Sequence, residues 1–220
     1  YLCRENPGWK VYFMAYGHLP EPITTLQKVI PLQKGNYLIY NAQKHAIKIE
    51  TFYKQRFIEK IGNRREAIEL INDGFNKSIK KHLIADASIG VFLSGGLDSS
   101  VVAALADKHK ANMQAVSIYF DNSHYSEKKF QDDLQAKLSF RHRQFRLKES
   151  DFHRHLPSVS QAMDLPSCDG INTWFISKYA RECGLKAVLS GVGGDELFGG
   201  YPSFKRIKTV LALEKLPVAV

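Results

Sequence analysis

No run of about 18 consecutive apolar residues occurs in this 220-residue chain, which excludes a membrane-spanning helix. The opening, YLCRENPGWK, lacks an initiator methionine and has no apolar core of the kind a secretory leader needs. Its close, LEKLPVAV, is abrupt, and both ends are expected to be cut from a longer chain. Cysteine is scarce: Cys3, Cys168 and Cys183 lie far apart and form neither a disulfide framework nor a metal-spaced pair, so a reducing cytoplasm is the expected location. His109, His124, His153 and His155 are scattered without metal-ligand spacing, which argues against zinc. There is no internal repeat and no low-complexity tract.

What the chain does have is a globular composition, 44% apolar and 24% charged, with a net charge of +9. More than half of that excess falls between Lys44 and His82, with ten Lys/Arg against five Asp/Glu. A basic excess favours an anionic partner only weakly, and a solvated basic face is the expected reading. No aromatic-basic repeat accompanies it, so no nucleic-acid partner is expected.

Residues 11–14 (VYFM) and 37–40 (YLIY) read as short strands, separated by a turn-rich crossing with three prolines and two glycines (16–35). Asn63 and Glu66 are spaced as a capping box, and Ile68, Ile71, Phe75 and Ile79 then share one helical face. From Ser88 the pattern alternates. Strands are predicted over 89–95, 114–120, 143–147 and 186–191, and helices over 98–109, 127–138, 152–162 and 171–183. Val101, Val102 and Leu105, and then Phe130, Leu134 and Leu138, are the predicted inward positions. Such alternation predicts an α/β fold, a mostly parallel sheet with helices on both faces.

In such sheets ligands bind beyond the carboxyl ends of strands. Ser94-Gly95-Gly96-Leu97-Asp98-Ser99-Ser100 stands at one such end. Glycines let backbone N–H groups approach an anion, and a following helix N-terminus favours phosphate. The serines can add hydroxyl donors. No lysine follows as in a Walker loop, and the dinucleotide glycine pattern is absent. Asp98 would repel phosphate unless it holds a cation such as Mg²⁺; alternatively Asp98 or Ser99 merely caps the helix. Residues 189–201, LSGVGGDELFGGY, repeat the arrangement with five glycines and Asp195. If the two strand ends are close, Asp98 and Asp195 can share Mg²⁺ across a polyphosphate; otherwise Asp195 and Glu196 sit in solvent on a glycine turn. There is no G-x-S-x-G elbow to make Ser94 a hydrolase nucleophile.

These two segments resemble the signatures of the asparagine synthetase family, glutamine-dependent amidotransferases with a Rossmann-like ATP pyrophosphatase domain of the adenine nucleotide α-hydrolase type. The resemblance extends to 16–38, Tyr125-Ser126-Glu127, 140–145 and 163–184. It implies a remnant of an N-terminal glutaminase domain at 1–45, a linker at 46–62 and a partial synthetase domain at 63–220. It implies further that Ser94, Gly95, Gly96, Asp98, Ser99 and Ser100 wrap the pyrophosphate of ATP. Asp98 and Asp195 then hold Mg²⁺, backbone near Phe92 and Ile118 holds adenosine, and Ser190 and Gly191 line the acyl-adenylate pocket. Glu196 corresponds to a glutamate that supports a later catalytic lysine; Lys205, Arg206 and Lys208 follow too closely to be that lysine. The implied reaction adenylates the side-chain carboxylate of aspartate and then amidates it with glutamine-derived ammonia, in a homo-oligomer. Little activity is expected from this stretch alone.

The match departs at Val192, where asparagine-forming members carry glutamate, and at Ser126, where many carry aspartate. Another carboxylate acceptor, a β-lactam-forming relative, a tRNA- or nucleotide-modifying ATP pyrophosphatase and an inactive nucleotide-binding module are therefore the alternatives. His142 reads as a structural histidine, and Asp169 as a helix cap or loop residue beside Asp164 rather than a ligand contact.

Overall fold

A computed structural model describes residues 3–56, 60–110, 112–122 and 126–213. The chain divides into two compact units, residues 1–69 with 153–174, and residues 70–152 with 175–220.

In the first unit, helix α1 (Trp9–Tyr16) occupies the stretch expected as a strand at 11–14. A four-residue apolar run cannot by itself distinguish strand from helix. Here the Trp9 and Phe13 rings meet one turn apart, and Gly17 ends the helix in the left-handed conformation, its N–H donating to the Phe13 carbonyl at 2.8 Å. The crossing that follows is irregular, as expected, and is organised around the buried Thr24, whose hydroxyl lies 2.9 and 2.8 Å from the Leu26 and Val29 carbonyls. Strands β1 (Asn36–Asn41) and β2 (Ala46–Thr51) form an antiparallel hairpin. The expected linker at 46–62 therefore begins with a strand: the alternating Ile47-Lys48-Ile49-Glu50 is a strand pattern that finds its partner in 36–41.

Helix α2 runs over Arg64–His82. Asn63 caps it by accepting the Arg65 N–H at 2.9 Å, the single-residue version of the expected box. Of its predicted apolar face only Ile79 is buried, Phe75 is half-buried, and Ile68 and Ile71 are exposed.

The second unit holds strands β3 (Ile89–Phe92), β4 (Gln114–Tyr119), β5 (Arg141–Arg146) and β6 (Ala187–Leu189). They pair in parallel in the order β5-β4-β3-β6. Between them in sequence lie α3 (Leu97–His109), α4 (Lys128–Gln135), α5 (Glu149–Ala162) and α6 (Cys168–Glu182), of which 153–162 of α5 and 168–174 of α6 belong to the first unit, and after β6 the short α7 (Gly194–Phe198) and α8 (Pro202–Leu213). Leu134 of α4 packs against the same buried cluster as Val102, Ala103 and Ala106 of α3. The core there joins Ile79 of α2 to Ile89, Val91, Leu93, Met113 and Ala115. From α3 it takes Val102, Ala103 and Ala106, while Val101 and Leu105 are half-buried. Alanines on the sheet side let the α3 backbone approach closely.

Helix α4 differs from its predicted face: Phe130 is exposed and Gln131 is only 2% exposed. Burial of that amide is tolerated because its Nε2 donates to the Ile118 carbonyl at 3.1 Å. On β5, Phe145 stacks on Tyr179 of α6, their centroids 4.2 Å apart.

Candidate functional site

Strand β3 is apolar along its length and buried, so the chain emerges from it directly into the loop at Ser94. Gly96 stands at the N-cap position of α3 with extended backbone and no side-chain cap. Neither Asp98 nor Ser99 caps the helix, and among the described residues its first-turn N–H groups have no side-chain acceptor. The loop is braced from within. Ser94 Oγ accepts the Gly96 N–H at 3.1 Å and lies 2.7 Å from Ser99 Oγ. The Ser99 hydroxyl is within 3.1 Å of the Ser94 and Gly96 carbonyls, and Ser100 donates to Gly96 at 2.7 Å. Ser99 is 7% exposed. The serines expected to face a phosphate thus hydrogen-bond within the loop itself, to its own backbone and to one another.

The second loop follows β6, the direct neighbour of β3. Adjacency of the two strands makes the two glycine-rich ends meet. A Cβ on Gly191 would lie 2.6 Å from the Ser99 nitrogen and 2.9 Å from the Asp98 carbonyl carbon, and one on Gly194 would collide with the Asp98 carboxyl group. Those glycines are required by close approach, not by conformation. Asp195 comes next, exposed at the start of α7. Neither the Asp98 nor the Asp195 carboxylate has a hydrogen bond or ion pair among the described residues. Ser190 Oγ accepts the Val192 N–H at 3.3 Å, and Val192 itself is 91% exposed. Glu196 accepts a hydrogen bond from the Tyr201 hydroxyl at 3.0 Å.

Phe92 and Ile118 lie at the carboxyl ends of adjacent strands, with Phe92 registered against Val116. The Ile118 carbonyl is engaged by Gln131. Sequence reading missed Gln131 and also Glu127, whose Oε2 accepts the Gly95 N–H at 3.0 Å. Glu127 belongs to a quoted stretch, but no spacing rule links it to a glycine 32 residues earlier. Tyr125 and His124 lie outside the described residues.

His142 is half-buried on β5, its Nε2 2.7 Å from Ser117 Oγ. Burial holds its imidazole below the ordinary range, against the pull of Asp132 and with the help of Lys128. An unfolded chain takes up this proton first, near pH ~6.5, so stability falls as the pH drops from there toward the lower folded value. His142→Asn is expected to flatten the loss of thermal unfolding midpoint between about pH 7 and 5.5. His109 is held low as well, by burial and by Lys80 and Lys108, and contributes in the same direction. Asp169 does not cap α6: the Ser167 hydroxyl oxygen accepts the Asp169 N–H at 3.2 Å and takes that role.

The asparagine synthase family model matches residues 70–218. The chain belongs to the asparagine synthase family. Among curated relatives, a glutamine-hydrolysing asparagine synthetase 1 of Bacillus subtilis is 26% identical over 93% of this chain and 32% of its own length. Asparagine synthetase 3 of Arabidopsis thaliana is 32% identical over 62% of this chain and 26% of its own length. The chain thus spans about a third of the length of the curated relatives it matches. Among solved structures, an NH3-dependent NAD synthetase from Campylobacter jejuni is similar with a TM-score of 0.40 at 17% identity, over 64% of this chain and 62% of the other. Among the described residues no helix is long and apolar enough to cross a membrane.

Proposed function

We propose that residues 63–220 are the nucleotide-binding part of an ATP-dependent carbon–nitrogen ligase, and that residues 1–45 are the end of a glutaminase domain. The reading rests above all on one observation: Gly191 and Gly194 press against the backbone and carboxyl group of Asp98, so two uncapped, glycine-rich strand ends form one surface. Family membership supplies the reaction class.

In the proposed reaction a substrate carboxylate oxygen attacks the α-phosphorus of ATP. The bond to the β-phosphate oxygen breaks, giving an acyl-adenylate and pyrophosphate. Ammonia then attacks the acyl carbon, AMP leaves, and the amide nitrogen loses a proton. The Gly95 and first-turn N–H groups of α3 face the leaving pyrophosphate. Main chain at Phe92 and Ile118 borders the adenosine, and Ser190 and Gly191 border the acyl-adenylate. Glu196, held by Tyr201, orients the end of the second loop.

The residues present fit a divalent cation. Asp98 and Asp195 offer carboxylates with no hydrogen bond or ion pair among the described residues; those residues hold no group of three or more His, Cys, Asp or Glu that could bind a metal alone, so phosphate oxygens and water would have to complete the shell. Such a donor set suits Mg²⁺, which keeps waters and substrate phosphates as ligands. When bound, it would neutralise charge on the departing pyrophosphate.

The acceptor is an aspartate-like carboxylate. An exposed valine at 192 supplies neither charge nor a proton, so larger acceptors belong in the test. The full-length polypeptide, given ATP, Mg²⁺, ammonia and a panel of carboxylic acids, is expected to release pyrophosphate and AMP in equal amounts, with aspartate among the best substrates. Failure to release pyrophosphate with any carboxylate would remove the ligase reading.

A further inference from the structure

We propose that Glu127 is a built-in anion of the first loop: its carboxylate occupies the Gly95 N–H, and a bound triphosphate takes its place. This inference rests on the nucleotide reading above and adds a competitor to it.

Glu127 stands at the N-cap position of α4, yet its side chain makes no capping bond to that helix. It reaches instead to the loop after β3, where Oε2 accepts the Gly95 N–H at 3.0 Å. The contact is held from both sides. A Cβ on Gly95 would come within 2.7 Å of the Glu127 Cβ and 3.0 Å of the Phe130 Cβ, so the first turn of α4 presses directly on the glycine. Gln131, in the next turn, is buried, and its amide is tied to the Ile118 carbonyl at the end of β4. The core therefore fixes where the carboxylate originates.

Of the two adjacent glycine donors, Gly96 N–H is spent on Ser94 Oγ and Gly95 N–H holds the carboxylate. A phosphate oxygen seeking the loop needs the same Gly95 donor. Two anions cannot share one N–H, and their charges repel. Glu127 is exposed, so its carboxylate can swing into solvent without unfolding α4. Nucleotide entry is thereby coupled to release of this side chain. A carboxylate resident about nine-tenths of the time would weaken the apparent affinity about tenfold.

The test uses the full-length protein and its E127Q and E127A variants, with calorimetric titration of ATP, inorganic tripolyphosphate and adenosine. E127A is expected to bind ATP and tripolyphosphate about tenfold more tightly than the wild type, and E127Q, which removes the charge and keeps the acceptor, more tightly by a smaller factor, with adenosine affinity unchanged in both. Thermal unfolding checks that each variant is folded; the near-isosteric glutamine retains an acceptor for Gly95 without the charge. Equal or weaker triphosphate binding by both variants, beside a wild type that binds ATP, would overturn the built-in anion and leave the nucleotide reading standing. Folded wild type and variants that bind neither ATP nor tripolyphosphate would overturn the nucleotide reading, and this inference with it.

Discussion

Asp98→Asn and Asp195→Asn, made singly in the full-length enzyme, are each expected to lower Mg²⁺-dependent pyrophosphate release about 10²–10³-fold, the several kcal/mol a bound cation supplies to developing charge. The amide is nearly isosteric with the carboxylate, so the change is one of charge. Asp98 sits in the first turn of α3 under Gly194, and Asp195 follows that glycine directly. Neither carboxylate is engaged by a described cation of the protein, so neither substitution strands a buried partner. The thermal unfolding midpoint should therefore stay close to wild type, and binding of adenosine should be unaffected. A variant that keeps wild-type turnover at every Mg²⁺ concentration would take that carboxylate out of the mechanism. A loss of rate matched by an equal loss of folded protein would show a structural role instead.

Gly191→Ala should have the second large effect, and for a purely steric reason. The added methyl would stand 2.6 Å from the Ser99 nitrogen and 3.0 Å from its Cα. Both are main-chain atoms of a braced helix start, so no flexible side chain can yield. The two loops must separate, at a stability cost of about 1–3 kcal/mol for overpacking. Separation also displaces the first-turn N–H groups from the second loop. ATP affinity of the full-length protein is expected to fall at least about tenfold, the equivalent of ~1.4 kcal/mol, measured by calorimetry alongside the unfolding midpoint. Gly74→Ala is the matched control: a methyl there meets nothing within 4 Å, and removal of a mid-helix glycine stabilises α2 by up to about 1 kcal/mol. Wild-type ATP binding by the Gly191 variant would show that the close packing of the loops is dispensable.

Much of the fold could be read from local pattern. The run from Ile89 to Phe92 is apolar on both faces, as a doubly covered strand requires, and its first three residues are buried. Where the local signal was short, tertiary context decided. VYFM is helical because Gly17 closes a turn behind it and Trp9 pairs with Phe13 along one side. Phe130 points out and Gln131 in because the Ile118 carbonyl offers a partner at the sheet end, and hydropathy alone cannot see a hydrogen bond between elements. Helix α8 went unread, its sequence carrying apolar residues such as Phe204, Ile207 and Val210 that stay exposed.

By itself, the amino-acid sequence determined the alternation of strands and helices between residues 89 and 191, the two glycine-rich strand ends and the carboxylates they carry, because these depend on neighbours along the chain. Only the tertiary structure decided that β6 lies beside β3, that Gly191 and Gly194 therefore press on Asp98 and Ser99, and that Glu127 reaches Gly95. Those contacts join residues tens of positions apart. Which of the many acidic side chains meets which glycine is set by parallel strand pairing and close packing of the core, and neither leaves a mark in local sequence.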